Sequence, residues 1–481
     1  MNKKSKQTAI YIVLTSVLLT LAGCKVTEIE KRTENTSVPQ AYGDRTAVAD
    51  TTNSAAVIWK DYFADPYLIA LIDSALVNNQ ELNITMQEIL IAQSEIRARK
   101  GEYLPFVGLK AGAGAAKVSR NTPQGSLEHN LEIVPGQENP EPLGDVTAGV
   151  YASWEIDIWN KLHNSKKAAV SRYMATVAGR NFAVTNLIAE IADNYYELLA
   201  TDSELGLVRQ NIDLQVNALQ IVKLQKESAR VTELAVKRFE AQLLNSKSLE
   251  FDILQKITET ENRINLLVGR FPQPVARSTD NFIAIVPPVV RTGIPAQLLE
   301  NRPDVKQAEM ELAAAKLDVK AAKASFYPSF GISAGMGYQS LDPATLFNPK
   351  SLLYSLAGDI TAPLINRNAI KAAYVGAGAK QIQVVYNYER TLLNAYIEVA
   401  NQMAKINNMQ NAFDLKAQQV DALDVSITIS NDLFASARAD YIEVLLTQRD
   451  ALESKFELVA YKQHQLAAMV AMYHALGGGW N

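Results

Sequence analysis

The feature that most constrains this chain is a helical run of unusual length that occurs twice. From His163 to Ser228 the sequence contains no proline, and Gly179 and Gly206 are the only glycines. At ~1.5 Å per residue, one helix over this run would be ~100 Å long, whereas globular helices average about 11 residues. Apolar residues recur every three or four positions, which indicates stripes that pack against neighbouring helices. A helix of this length crosses a distance that no compact domain requires.

The long run belongs to a larger unit that is present in two copies. Landmark residues keep their order in both copies, in the pairs Tyr103 and Tyr327, Asn160 and Asn366, and Gly269 and Gly477. Duplication followed by divergence explains this order. We predict a first copy over residues 66–280, with strands at about 103–118 and 146–159 and long helices at about 163–228 and 231–268. The second copy covers 281–481, with strands at about 327–339 and 352–364 and long helices at about 368–436 and 440–476.

The strand predictions rest on four segments that alternate apolar with small or polar residues. The segments are Leu104–Val118, Val146–Ile158, Ser329–Gln339 and Tyr354–Leu364, of which the first alternates most weakly. Such alternation fits either a tilted membrane strand or a half-buried strand of a soluble sheet. The paired strands are joined by residues 121–144 and 341–350, which suit long exposed loops and favour membrane crossings.

Four strands are too few to close a membrane barrel. An open sheet edge in lipid leaves backbone groups unpaired at a cost of several kcal/mol each. The smallest bacterial barrels have eight strands, so strands that span a membrane require an oligomer of two or three of these chains. Polar residues around the helical stripes suit a hollow helical tube, and a solid coiled-coil bundle is the alternative.

The first residues form a targeting segment. A basic stretch is followed by an apolar stretch over residues 9–22, which is too short for a comfortable transmembrane helix and is typical of a secretory signal. The small residues before Cys24, the only cysteine of the chain, resemble a bacterial lipobox. This resemblance implies a signal peptide over residues 1–23, lipidation of Cys24 and a lipidated extension over 24–65. An ordinary signal peptide with a chance cysteine is the alternative.

Composition and motifs argue against several classes of function. The net charge is −4 and no long basic or acidic block occurs, which gives nucleic-acid binding no electrostatic support. No nucleotide-binding motif is complete, and the four histidines, His129, His163, His464 and His474, lack the spacing of metal ligands. We therefore expect no catalytic residues, no metal and no cofactor, and an enzyme is the weakest of the alternatives.

Five motifs in a fixed order resemble those of the TolC-like outer membrane efflux family, in its lipoprotein branch. They are WEIDIW at 154–159, NRPDV at 301–305, ASFYP at 324–328, ADYIEVL at 439–445 and LGGGW at 476–480. The resemblance implies a mainly α protein with a transmembrane β part. In this fold, three chains form one 12-stranded β-barrel in the outer membrane and an α-helical barrel that extends into the periplasm.

The resemblance also implies a function and partners. The homotrimer would be the passive exit duct of a tripartite efflux system, lipid-anchored in the outer membrane through Cys24. It would conduct drugs or metal ions that arrive from an inner-membrane pump and a periplasmic adaptor protein. Two alternatives stay open, namely an exit duct for type I protein secretion and a periplasmic coiled-coil lipoprotein without a channel.

The family closes its tunnel at the periplasmic tip with acidic residues. The matching position is Glu443 in the second copy but Ala235 in the first, so the resemblance supports at most one acidic ring, with Asp440 as its neighbour. A solvated carboxylate at a helix end is the alternative for Glu443. Arg438 and Asp432 are candidates for the ion pairs that hold the tips closed.

Overall fold

The computed structural model describes residues 28–30, 32–42, 52–132, 135–278, 281–288, 291–436 and 438–480. The predicted signal peptide and Cys24 lie outside these residues. The chain divides into two compact units. The first contains Leu90–Met174, Met310–Tyr386 and the described residues up to Thr33. The second contains Glu34–Ile89, Ala175–Glu309 and Asn387–Asn481.

Long helices and four strands account for most of the described chain. The helices are α1 (Trp59–Tyr62), α2 (Pro66–Asn78), α3 (Gln80–Glu102), α4 (Pro123–Asn130), α5 (Lys161–Glu227), α6 (Glu233–Val268), α7 (Leu298–Asn301), α8 (Pro303–Ala324), α9 (Asn368–Ala435) and α10 (Tyr441–Ala475). The strands are β1 (Phe106–Ala116), β2 (Leu143–Ile156), β3 (Ser329–Ser340) and β4 (Leu352–Thr361). Across the described ranges, no helix has a stretch long and apolar enough to cross a membrane.

The first unit contains a single antiparallel sheet in the order β1-β2-β3-β4. The two copies of the repeat meet between β2 and β3, where Gly149 lies opposite Gly337. A Cβ atom on Gly149 would lie 2.8 Å from the Cα atom of Gly337, so the close approach of these strands requires glycine. Because neighbouring strands run in opposite directions, all four strand–helix connections lie at the same end of the strands.

The second unit is built around the buried stripe of α5. Ile191, Tyr195 and Leu198 have no exposed surface, as their spacing of three or four residues predicts. The Tyr195 hydroxyl donates a hydrogen bond of 2.6 Å to the Asp65 carboxylate, which satisfies the polar end of this buried ring. The stripe weakens further along the helix, because Val216 is 42% exposed.

Matching turns of the two copies have matching backbone conformations. Asn160 and Asn366 follow the second strand of each copy, with φ of 56° and 52°. Gly269 and Gly477 follow the last helix of each copy, with φ of 77° and 89°. Asparagine and glycine are the residues that adopt left-handed conformations most readily. These two pairs of landmarks therefore share a left-handed backbone conformation, and the repeat itself stays a prediction.

Several predicted boundaries were wrong in detail. The connection predicted as a loop over 121–144 contains α4, which begins because the Thr122 hydroxyl caps the Gly125 amide at 3.2 Å and Pro123 occupies the first turn. Strand β2 begins within this predicted loop and ends at Ile156 rather than at 159. Strand β4 ends at Thr361 rather than at 364, two residues before Pro363, which has no amide hydrogen for a ladder.

Candidate functional site

The two outer strands of the sheet are exposed on both faces within one chain, whereas β2 and β3 are mostly half-buried. Ten of the eleven residues of β1 and nine of the ten residues of β4 are exposed. The exposed side chains include large apolar ones, of which Leu109 is 79%, Tyr354 82% and Leu356 79% exposed. A half-buried strand of a soluble sheet buries one of its faces, so the exposure of both faces of β1 and β4 favours a membrane strand. Apolar surface of this extent marks an interaction with lipid or with protein.

Both outer edges of the sheet are open in the described chain. Strand β1 pairs only with β2, and β4 pairs only with β3. Each outer edge therefore presents unpaired amide and carbonyl groups, which natural sheets cover or close. The sheet is incomplete as a membrane element until further strands pair with β1 and β4.

The turns at the ends of the two helix pairs have the same local construction. The Arg230 amide donates to the carbonyl of Gln225, five residues earlier, and the Arg438 amide donates in the same way to Leu433, at 2.8 Å. The next helices begin after Thr232 and Asp440 at matching positions. An ion pair between Lys226 and Glu233 also spans the first turn.

The two turns are joined by a small apolar core. Its buried members all come from the first helix pair and are Leu219, Val222, Ala235, Val236, Phe239 and Leu243. Phe434, Tyr441 and Leu445 of the second pair are half-buried against them. Ala235 has no exposed surface, whereas Glu443, at the same position after its N-cap, is exposed. A carboxylate at the Ala235 position would be buried in this core without a partner, so the first copy has no place for an acidic residue there.

The four predicted gate residues are all exposed. Glu443 lies in the first turn of α10, where its amide donates to the Asp440 carbonyl at 3.1 Å. Asp440 is the N-cap residue, although its side chain makes no capping hydrogen bond. The carbonyl of Asp432 accepts from the Ser436 hydroxyl at 2.8 Å. No ion pair joins Arg438 to Asp432 among the described residues, and the roles of these four side chains in a gate stay predictions.

Comparison with known proteins identifies the family. A model of the outer membrane efflux protein family matches residues 71–270 and 294–478, which is most of the chain. The chain belongs to the outer membrane efflux protein family.

Its relatives match over nearly their whole length. The solvent efflux pump outer membrane protein SrpC of Pseudomonas putida is 25% identical over 452 residues, which cover 92% of this chain and 91% of SrpC. The cation efflux system protein CusC of Escherichia coli is 25% identical over 474 residues, covering 96% and 97%. The crystal structure of the CmeC outer membrane channel of Campylobacter jejuni has the same fold, with a TM-score of 0.82, 18% identity and 94% coverage of each chain.

One buried ion pair of this efflux protein had no predicted role. Arg302, in the NRPDV motif, is 2% exposed and forms hydrogen bonds with the Asp304 carboxylate, with Glu398 of α9 and with the carbonyl of Ala475. Burial alone would lower the pKa of Arg302, but the carboxylates of Asp304 and Glu398 outweigh burial and raise it. The arginine thereby joins the start of α8, the middle of α9 and the end of α10. The only sign of this ion pair in the sequence was an arginine directly before the proline of the short NRPDV motif.

A second unpredicted feature is the contact of the N-terminal extension with α9. The Arg32 guanidinium lies over the Tyr386 ring, 4.2 Å from its centre, and donates to its hydroxyl at 3.1 Å. Further along, the Tyr42 and Tyr396 rings are stacked with their centres 5.4 Å apart. The extension was predicted only as a segment after Cys24, because a chain without periodic apolar residues gives no signal for the surface on which it lies.

Within the described ranges, no three histidine, cysteine or acidic side chains are grouped so that they could hold a metal ion.

Proposed function

We propose that this chain is the outer-membrane exit duct of a tripartite efflux system. In this role the sheet spans the outer membrane, the long helices form the wall of a periplasmic tunnel, and small molecules pass from a pump and adaptor to the outside. The observation that carries the proposal is the sheet itself. Its outer strands are exposed on both faces, one of its faces is apolar, and both of its edges are open, although it is continuous with helices of 67 and 68 residues.

We propose a homotrimer as the conducting form. Three copies would supply twelve strands, so that the β1 edge of one chain pairs with the β4 edge of the next and no edge meets lipid. The likeness of the fold to a known outer membrane channel supports this arrangement.

We propose lipidation of Cys24 as the anchor. The probable outer membrane lipoprotein SilC of Salmonella typhimurium is 23% identical over 470 residues, which cover 97% of this chain. The position of Cys24 after an apolar signal and small residues supports the same modification here.

The proposed cargo is a small molecule chosen by the pump. The names of three relatives refer to solvent efflux, cation efflux and pyoverdine export, and their identities to this chain are equal at 25%. Such a range of cargo over one fold supports a duct that contacts its cargo weakly.

Planar-bilayer recording of the purified full-length protein tests the proposal. We expect a discrete conductance from an oligomer whose mass is three times that of the chain. A control preparation, dissociated to monomers by heat in detergent, should give no conductance. A water-soluble monomer without pore activity would contradict the proposal.

A further inference from the structure

The end of the sheet at which the helices join the strands carries a surplus of positive charge. Six exposed basic residues lie in the helix turns next to the strands, on α3, α5, α8 and α9. They are Arg97, Lys100, Lys167, Lys320, Lys323 and Lys371, and we name them the basic collar. All belong to the first unit, together with the four strands.

The collar residues have no ion-pair partner within the part of the chain that the structure describes. Three nearby carboxylates are already engaged by other cations: Glu102 by Arg99, Glu155 by Lys161 and Asp318 by Arg172. Asp157 accepts a hydrogen bond from the backbone amide of His163. These four carboxylates therefore do not neutralise the collar, and its field acts on whatever lies outside the chain.

The collar is repeated by the two copies of the chain. When Pro105 and Pro328 are aligned, Arg97 matches Lys320 and Lys100 matches Lys323. The copies have diverged at many other positions, including Ala235 and Glu443. If these cations only stabilised their own helix, the second copy would not need cations at the matching positions. A charged surface around the whole sheet, in contrast, needs cations beside each of the two strand pairs.

Aromatic side chains lie at the same end of the strands. The Trp154 indole donates to the Tyr103 carbonyl at 3.0 Å, and the Trp159 indole donates to the Pro328 carbonyl at 2.7 Å while its ring stacks on Tyr327. Trp154 is 40% exposed and Trp159 is 42% exposed. Half-exposed tryptophans with satisfied N–H groups are typical of the level at which a membrane protein meets lipid headgroups.

The collar lies close to this level. Lys100 and Lys323 are each six residues from the first residue of a strand, and helix turns rise only ~1.5 Å per residue. Lysine and arginine at such a depth extend their charges towards headgroups, as juxtamembrane basic segments do.

We propose that the basic collar binds the anionic headgroups of phospholipids in the leaflet that the strand–helix connections meet. This inference rests on the proposed function, in which the sheet spans the membrane. The collar gives the duct a preference for negatively charged lipid at its periplasmic end, in addition to its apolar contact with acyl chains.

Quenching of tryptophan emission by brominated lipids tests this proposal on the full-length protein. Mixed vesicles of phosphatidylglycerol and phosphatidylcholine are compared with one or the other lipid brominated, since Trp154 and Trp159 lie at the strand ends in question. We expect stronger quenching by the anionic lipid, corresponding to a relative binding constant about fivefold in its favour for a headgroup that one lysine engages. Raising the salt concentration from 0.1 to 0.5 M should reduce this preference by more than half.

Two charge-matched variants locate the effect. The collar variant is Arg97→Gln, Lys100→Gln, Lys320→Gln and Lys323→Gln. The control variant loses four exposed cations of the second unit, by Lys223→Gln, Arg230→Gln, Arg238→Gln and Lys247→Gln. The collar variant should quench equally with both lipids, and the control variant should keep the preference of the original protein.

The outcomes separate this proposal from the proposed function. Equal quenching by both lipids in the unmodified protein, or a preference that the collar variant retains, overturns lipid binding by the collar. A collar variant that instead changes the ion selectivity of the channel and retains its lipid preference places these cations in the lumen and also overturns it. Absence of quenching by either lipid contradicts membrane insertion, and with it the proposed function.

Discussion

At the scale of single residues, the two copies of the repeat have different chemistry at the same position. Ala235 is fully buried in the core between the helix pairs, and Glu443 is exposed. The position therefore contributes to packing in one copy and presents a charge in the other. The predicted gate therefore takes its charge from the second copy alone.

Glu443→Gln tests that charge. We expect the cation selectivity of the channel to fall several-fold, because a ring of carboxylates concentrates cations in a narrow pore. The reversal potential across a bilayer with a salt gradient measures the selectivity. Glu233→Gln is the matched control, since it removes one carboxylate from the first turn of α6, where Lys226 already neutralises it. Equal selectivity of Glu443→Gln and the unmodified protein removes Glu443 from the gate.

Arg302→Ala tests the buried ion pair. Removal of the guanidinium leaves Asp304 and the carbonyl of Ala475 without their partner, so we expect a loss of about 3 kcal/mol in the free energy of unfolding. Arg209→Ala breaks an exposed pair with Glu250 and should cost less than about 1 kcal/mol. Urea unfolding in detergent compares the two variants, and equal midpoints would show that Arg302 has no special structural role.

At the scale of elements, the contact of β2 with β3 determines whether the copies form one sheet. A Cβ atom on Gly149 would lie 2.7 Å from the carbonyl oxygen of Met336, so a larger residue separates the strands. The same addition at Gly112 meets no atom within 4 Å. The two glycines differ in the space around them, although both lie in strands of the same sheet.

Gly149→Val should therefore destabilise the sheet by about 1–3 kcal/mol, as overpacking commonly does. Gly112→Val is the matched control and should be neutral or stabilising, since valine favours strands and has room at this position. The temperature at which the oligomer loses its heat-modifiable band on a gel measures both effects. A lower temperature for Gly112→Val than for Gly149→Val would refute the role of this contact.

At the scale of the whole molecule, each strand pair has one outer strand, β1 or β4, without a second neighbour in the described chain. The proposed trimer supplies this neighbour by pairing β1 of one chain with β4 of the next. The lipid anchor is a separate device, because one acyl-modified residue adds affinity for the membrane without pairing any strand.

Cys24→Ala should separate anchoring from sheet formation. We expect loss of the acyl mass and weaker retention in membranes after a salt or carbonate wash, since only the strands then hold the protein. The heat-modifiable oligomer should persist, because Cys24 supplies no strand. Mass spectrometry and gel migration measure the two properties, and a variant that keeps its acyl mass would exclude lipidation at Cys24.

The sequence by itself determined the elements that depend on local pattern. The absence of proline over a long run with apolar residues at helical spacing predicts α5, and alternation predicts β2 and β3, because both signals lie within the element. The turns at Asn160 and Asn366 were also predictable, since asparagine adopts their left-handed backbone at low cost. Helix α4 was missed because a segment rich in proline and glycine resembles a loop, although its cap at Thr122 was visible in the sequence.

Only the tertiary structure decided what depends on distant residues. Arg302 finds Glu398 and Ala475 at separations of 96 and 173 residues, and no local pattern encodes such partners. The same holds for the pairing of β2 with β3 and for the burial of Ala235. The periodicity of apolar residues predicts that a side chain packs against a neighbour. The tertiary structure determines which neighbour it is and whether a charge at that position is buried or exposed.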